Sequence, residues 1–233
     1  TRIAENMRHP RWMRINESGM IAALVDNSLA SNELLIWTDP FEEPYRHDWQ
    51  QDAFENYPIV RHAAWNDLGQ ILYQYTSRKS SLSNLPTGTQ TITKFYDYFN
   101  DSETQLCTHM SEIHLDRSVS YEGTTIRPRG LNNYGQFVAD VLVEDTYKEQ
   151  WKPEVVTIRE RYNTRSQEEN LPFKPHDIND RGTIIGNTDD SPANLIIKDG
   201  FGTRVIAEGV EGLRDMEAEM SNPDDGLEEI ILG

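Results

Sequence analysis

The densest run of side chains that could do chemistry is Cys107-Thr108-His109-Met110-Ser111-Glu112-Ile113-His114-Leu115-Asp116. Alternate side chains of an extended strand share a face. Glu112, His114 and Asp116 would then line one side, with Ile113 and Leu115 on the other. An imidazole between two carboxylates is a ligand set for zinc or another divalent metal. The same alternation marks any half-exposed strand, and the spacing matches no established metal motif, so the sequence calls for no cofactor. Acidic neighbours such as Glu42 and Glu43, Glu144 and Asp145, or Asp189 and Asp190 are the residue type that cleaves glycosides, where two carboxylates flank the bond. With 39 acidic residues in the chain, such pairs arise by chance. Asn187, Asp189 and Asp190 offer oxygen ligands to calcium, but without the spacing of a calcium-binding loop. No His-Glu-x-x-His, Gly-x-Ser-x-Gly, phosphate-cradling glycine loop or kinase signature occurs. The six histidines, at 9, 47, 62, 109, 114 and 176, are dispersed.

Composition narrows the partner classes. The chain has 233 residues and a formal net charge of −17, from 39 acidic and 22 basic side chains. Such a surface repels a phosphate backbone, so nucleic acid is excluded as an expected partner. It favours solubility and cationic partners. Apolar runs reach about six residues, too short to insert in a bilayer as a helix, which takes about 20. Cys107 is the single cysteine, so no internal disulfide forms.

The elements that must position any site follow from a repeat. An apolar residue, Asn, two mostly polar residues and Gly recur as Ile15-Asn16-Glu17-Ser18-Gly19, Trp65-Asn66-Asp67-Leu68-Gly69, Leu131-Asn132-Asn133-Tyr134-Gly135 and Ile178-Asn179-Asp180-Arg181-Gly182. A looser copy runs from Asn222 to Gly226 with one extra residue. Asn at the first position of a type I turn accepts a hydrogen bond from the backbone two residues on. Gly at the fourth position closes the turn into a hairpin with a one-residue bulge. Apolar runs follow each Gly, at Met20–Val25, Gln70–Tyr73, Gln136–Ala139 and Thr183–Gly186, and read as strands buried on both faces. A further strand follows in each unit, as in Leu34–Trp37, Val155–Ile158 and Leu195–Ile197.

Successive Asn anchors lie 50, 66, 47 and 43 residues apart. Four-stranded propeller blades take roughly 40–50 residues. The expected fold is therefore all-β, a β-propeller-like repeat domain of about five blades over 1–233. Its units are approximately 13–61, 62–127, 128–174, 175–217 and a partial 218–233. The long second spacing implies an inserted loop at approximately 98–124. Glu211–Met220 and Trp49–Asn56 are rich enough in helix formers for short helices, the former giving way to strand by Met220 where the fifth copy begins. Because the fifth copy stops after its first hairpin, the native polypeptide is expected to continue beyond one or both ends.

These phrases resemble the HAF-type extracellular repeat family of bacterial proteins, whose signature is close to Ile-Asn-Asn/Asp-x-Gly-x-Ile/Val-Val-Gly. Ile178 to Gly186 matches nearly throughout. Leu131 to Val138 matches well, with Ala139 in place of the final Gly; Ile15 to Ala23 and Trp65 to Tyr73 match the turn alone. Leu35-Ile36-Trp37 resembles the strand that follows. The resemblance implies a propeller-like fold in exported or surface proteins, an extracellular or cell-surface location, and no catalytic residues. A residue repeated four times serves the fold before it serves chemistry. The expected role is thus non-catalytic: a scaffold or binding module for a protein or glycan partner. The alternatives are a carbohydrate-active hydrolase with an acidic channel, or a metal-dependent enzyme built on the 107–116 segment.

Overall fold

The computed structural model describes residues 10–26, 32–47, 59–79, 88–113, 119–123, 126–145, 148–158, 165–210, 218–220 and 230–232. These residues are all strand, turn or irregular, with no helix among them. Strands pair antiparallel in chain order within each sheet, so each is an up-and-down meander. The first sheet holds β1 (Pro10–Ile15), β2 (Ile21–Asp26), β3 (Asn32–Trp37) and β4 (Tyr45–His47). The second holds β5 (Ile59–Trp65), β6 (Gln70–Lys79), β7 (Gly88–Asp97), β8 (Ser102–Ile113) and β9 (Val119–Gly123). The third holds β10 (Ile126–Leu131), β11 (Gln136–Asp145), β12 (Lys148–Ile158) and β13 (Arg165–Asn170). The fourth holds β14 (Lys174–Ile178), β15 (Ile184–Asn187), β16 (Ala193–Asp199) and β17 (Gly202–Val210). β18 (Ala218–Met220) pairs with β19 (Ile230–Leu232). This succession of blade-like meanders is an all-β, propeller-like fold.

The chain forms two compact units. One is Thr1–Thr125 with Glu144–Lys148; the other is Ile126–Val143 with Glu149–Gly233. In the first, Ala22, Leu24, Leu34 and Ile36 of the first sheet pack against Ile71, Tyr73, Tyr75, Ile92 and Tyr96 of the second. The alternate positions Ile21, Ala23, Val25, Leu35 and Trp37 form a separate buried cluster. Both faces of β2 and β3 are therefore covered, as their uninterrupted apolar runs require. In the second unit Val138 and Val155 of the third sheet pack with Ile178, Ile184 and Ile196 of the fourth.

Four of the Asn-x-x-Gly corners join the first two strands of their sheets. Gly19, Gly69, Gly135 and Gly182 all take positive φ, between 71° and 81°. Each Gly N–H donates to the Asn carbonyl, at 2.9–3.2 Å. The Asn side chain does more than close its turn. Asn132 Oδ1 accepts from the backbone of Tyr134 and Gln136, at 3.1 and 2.9 Å, while its Nδ2 donates to Gln136 Oε1 and to the carbonyl of Asn179 in the fourth sheet. In the first unit Asn16 Nδ2 likewise donates to the carbonyl of Asn66, at 3.2 Å. The residue after the second Asn returns the bond: Asp67 Oδ1 accepts from Glu17 N–H and Asp180 Oδ1 from Asn133 N–H, both at 2.7 Å. Each pair of sheets is stapled by its own corners.

Several expectations need revision. Residues 98–124, expected as an inserted loop, contain all of β8 and β9, so the extra length is an added edge strand. Residues 218–220 are strand β18, so the segment rich in helix formers has given way to strand by Met220. The rest of that segment, the expected helix at 49–56, and the corner residues Asn222 and Gly226 lie outside the described residues.

Asn132 is 1% exposed. Asn132→Ala would remove the bond to the Asn179 carbonyl and those from the Tyr134 and Gln136 amides, and should lower the unfolding free energy by about 2 kcal/mol. A Cβ on Gly69 would come 2.9 Å from the Phe99 ring, whereas one on Gly19 would meet nothing within 4 Å. Both alanine variants carry the left-handed strain of about 1–2 kcal/mol. Gly69→Ala should therefore lose more stability than Gly19→Ala when both are followed by chemical denaturation.

Candidate functional site

In the first unit the cross-strand register sorts the outer residues of the sheets by face. Tyr45 pairs with Ile36 and His47 with Leu34, so both point the way of those core residues, toward the second sheet. Arg46, between them, faces the other way and forms an ion pair with Glu33 at 2.8 Å. On the second sheet Tyr73 pairs with Lys94, Tyr75 with Ile92 and Tyr96 with Glu103. A bulge in β8 between Gln105 and Cys107 re-aims that strand where it passes Lys94.

Glu103 gathers donors from three strands. The Tyr73 hydroxyl donates to its Oε1, Lys94 Nζ lies 2.5 Å from Oε2, and His47 Nε2 lies 3.5 Å from Oε1. Burial by itself would raise the Glu103 carboxyl, but hydrogen bonds from His47, Lys94 and Tyr73 and the Lys94 charge outweigh it and hold the group at about 2. Tyr73 is pushed far above the ordinary phenol range, first by burial and then by the adjacent Glu103 charge. A carboxylate saturated by donors is a poor general base, and a phenol kept neutral is a poor nucleophile. The cluster braces two sheets.

Next to it the aromatic groups run outward. The Tyr96 hydroxyl lies 3.2 Å from both the Tyr45 hydroxyl and Asp101 Oδ1. Burial, and then the Tyr45 hydroxyl, raise the Tyr96 phenol. Tyr45 meets Tyr98 edge-on at 5.2 Å between ring centroids, and Tyr98 meets Phe99 in the same way at 5.2 Å. The ladder ends in solvent: Phe99 is 64% exposed, and Phe41, at the β3–β4 turn, is 79% exposed. Asp101 takes φ of 44°, the left-handed position that glycine fills at the other corners. Asp tolerates this region better than most residues, and the contact with Tyr96 holds it there.

The exposed phenylalanines follow a second repeated device. Asp39 Oδ1 accepts from Phe41 N–H at 2.9 Å, and Asp199 Oδ1 from Phe201 N–H at 2.8 Å. Asp97 Oδ1 accepts from Asn100 N–H, with Phe99 between them. Each Asp stands two residues before a Phe in the turn between the third and fourth strands of its sheet. The Asp199 carboxyl is held below the usual carboxylate range, chiefly by the Phe201 amide and next by Arg204. Phe201 is 99% exposed. The sequence reading missed this device, although Asp-x-Phe at 39–41, 97–99 and 199–201 was present to find.

The residues singled out from the sequence fare differently. Glu112 lies in β8, paired with Gly88 and Ser120; His114 and Asp116 lie outside the described residues. Among the described residues no group of three metal-ligating side chains converges. Asp189 and Asp190 lie in the bend after β15. His176 is buried, with Nε2 against Asn187 Oδ1. Trp37 is buried and Trp65 is packed against the core.

No family model and no curated protein matches the chain. Among solved structures it is similar to a Trypanosoma rangeli sialidase in complex with 2,3-difluoro-KDN, at 12% identity and a TM-score of 0.48, over 98% of this chain and 43% of that one. A second structure of a Trypanosoma rangeli sialidase, in complex with difluorosialic acid, is similar at 12% identity and a TM-score of 0.45, over 94% of this chain and 41% of that one. The chain thus spans less than half the length of either. At that level no residue role transfers, and the architecture stands on this chain's own sheets and corners.

Below its ordinary value of 4.5 the Glu103 carboxyl of an unfolded chain takes up a proton, whereas the folded one stays ionised to about 2. The stability it contributes is complete above about 4.5 and is lost as pH falls toward 2. Glu103→Gln should therefore be less stable than the parent at pH 6, and the gap should shrink as denaturation is repeated at pH 5, 4, 3 and 2.

Proposed function

We propose that this protein is a non-catalytic binding module of the HAF-type repeat kind, acting on a protein or glycan at the cell surface. The observation that carries this reading is a division of labour among side chains. The groups best suited to chemistry, Glu103, Lys94, Tyr73 and His47, bond one another across two sheets. The groups held out in solvent are phenylalanines on turns, and loops with exposed aromatics serve recognition.

A second reading, a carbohydrate-active hydrolase, is favoured by one observation. Asp101 and Glu103 share one hairpin beside the aromatic ladder, and paired carboxylates are the residue type for glycoside cleavage. The two readings differ in whether the ligand is turned over. Glycans and candidate surface proteins incubated with the purified chain should be bound and recovered unchanged. Release of a reducing sugar that disappears in both Asp101→Asn and Glu103→Gln would replace the binding reading with the hydrolase.

A further inference from the structure

We infer that the end of the first unit carrying Phe41, Tyr45, Tyr98 and Phe99 docks a cationic protein segment, with Lys or Arg side chains laid on the rings. This rests on the binding reading and names its partner. Apolar exposure at this end is systematic. Strand direction alternates, so the β3–β4 and β7–β8 turns lie at the same end of their sheets as the corners at 16–19 and 66–69. Tyr45 joins the two turns through its ring contact with Tyr98. Phe41 precedes it by four residues, a reach of at most about 14 Å.

Two features argue that these rings serve a partner and not the core. A core residue would be covered, yet Phe41 and Phe99 are 79% and 64% exposed. The turns also fix them outward: Asp39 holds the Phe41 amide, and the Phe99 ring rests over Gly69, where any Cβ would crowd it. Rings ordered in advance cost less to bind.

Charge selects the occupant. Residues 38–47 and 96–103 contain six carboxylates against one arginine; Glu103 is paired with Lys94, which leaves Asp39, Glu42, Glu43, Asp97 and Asp101. That arginine is tied to Glu33. A guanidinium or ammonium over a ring within about 6 Å gains from the ring's negative face, more so once water is displaced. Inside the unit Lys94 already sits this way, 5.6 Å from the centre of the Tyr75 ring. Carboxylates beside the rings add complementary charge and speed encounter. A phosphate-bearing or sialylated ligand would meet repulsion instead, and a neutral sugar would gain nothing from the acids.

The test uses the whole chain and three probes: a peptide of alternating Arg and Leu, its Glu/Leu counterpart, and maltohexaose. The Arg/Leu peptide should bind by fluorescence anisotropy. Its affinity should fall at least tenfold in Phe41→Ala/Phe99→Ala, and severalfold when salt is raised from about 50 to 300 mM, as expected when screening shortens the reach of exposed charges. Asp39→Asn/Glu42→Gln/Glu43→Gln should weaken it while leaving the thermal melt unchanged, because Asn can still cap the turn. The Glu/Leu peptide and maltohexaose should not bind. Failure of the Arg/Leu peptide, or binding that the two Phe substitutions leave intact, overturns the proposal. Binding of maltohexaose that those substitutions abolish overturns the cationic occupant and keeps the binding module. Cleavage of maltohexaose would sink the module reading itself.

Discussion

An asparagine amide that reaches out of its own turn holds the sheets of each unit together. Asn16 and Asn132 satisfy their turns with the oxygen and spend the nitrogen on a carbonyl of the neighbouring sheet. The neighbour's aspartate returns a bond to the next backbone amide. Side-chain bonds to backbone carry direction that apolar packing lacks. The apolar clusters beneath supply most of the cohesion, but many packings would bury the same area. The paired bonds select one offset between sheets. Where that offset brings backbones together the sequence yields: Gly130 of β10 leaves no room for a side chain against Asp177 and Ile178 of β14.

The aromatic end of the first unit depends on that offset. Phe99 lies on Gly69, and Tyr45 and His47 of the first sheet meet Tyr98 and Glu103 of the second only if the two sheets stand in register. Glu103 is the polar counterpart of the corner staple. It lies farther out and draws Tyr73, Lys94 and His47 together. Two kinds of polar fastening thus frame the apolar interior of the unit, and the exposed rings stand just beyond the second.

Legibility followed sequence distance. A corner closes over four residues, so Asn-x-x-Gly announced itself, and the uninterrupted apolar runs at 20–25 and 184–186 correctly announced strands covered on both sides. The brace around Glu103 draws on residues at 47, 73, 94 and 103, whose meeting depends on register and a bulge that no local pattern shows. β9 was hidden for the same reason: Val119–Gly123 lacks strong alternation and is strand because β8 offers an edge to pair with. The Asp-x-Phe turns were legible yet overlooked, because an aromatic beside polar turn residues reads as core until its exposure is seen. The grouping of Glu112, His114 and Asp116 rests on a strand running through all three; Glu112 lies in β8, and the other two lie outside the described residues.

The staples also have a polarity. In both units the earlier sheet offers its amide forward and the later sheet offers its carboxylate back. A sheet at the front of such a series exposes the accepting half of the joint, and one at the rear exposes the donating half. The asparagine stands in every copy, whereas the aspartate stands in the second and fourth, so duplication of a pair of sheets supplies a working seam. Growth by copying then requires no new chemistry, which gives natural selection a ready route to longer or shorter arrays of this kind.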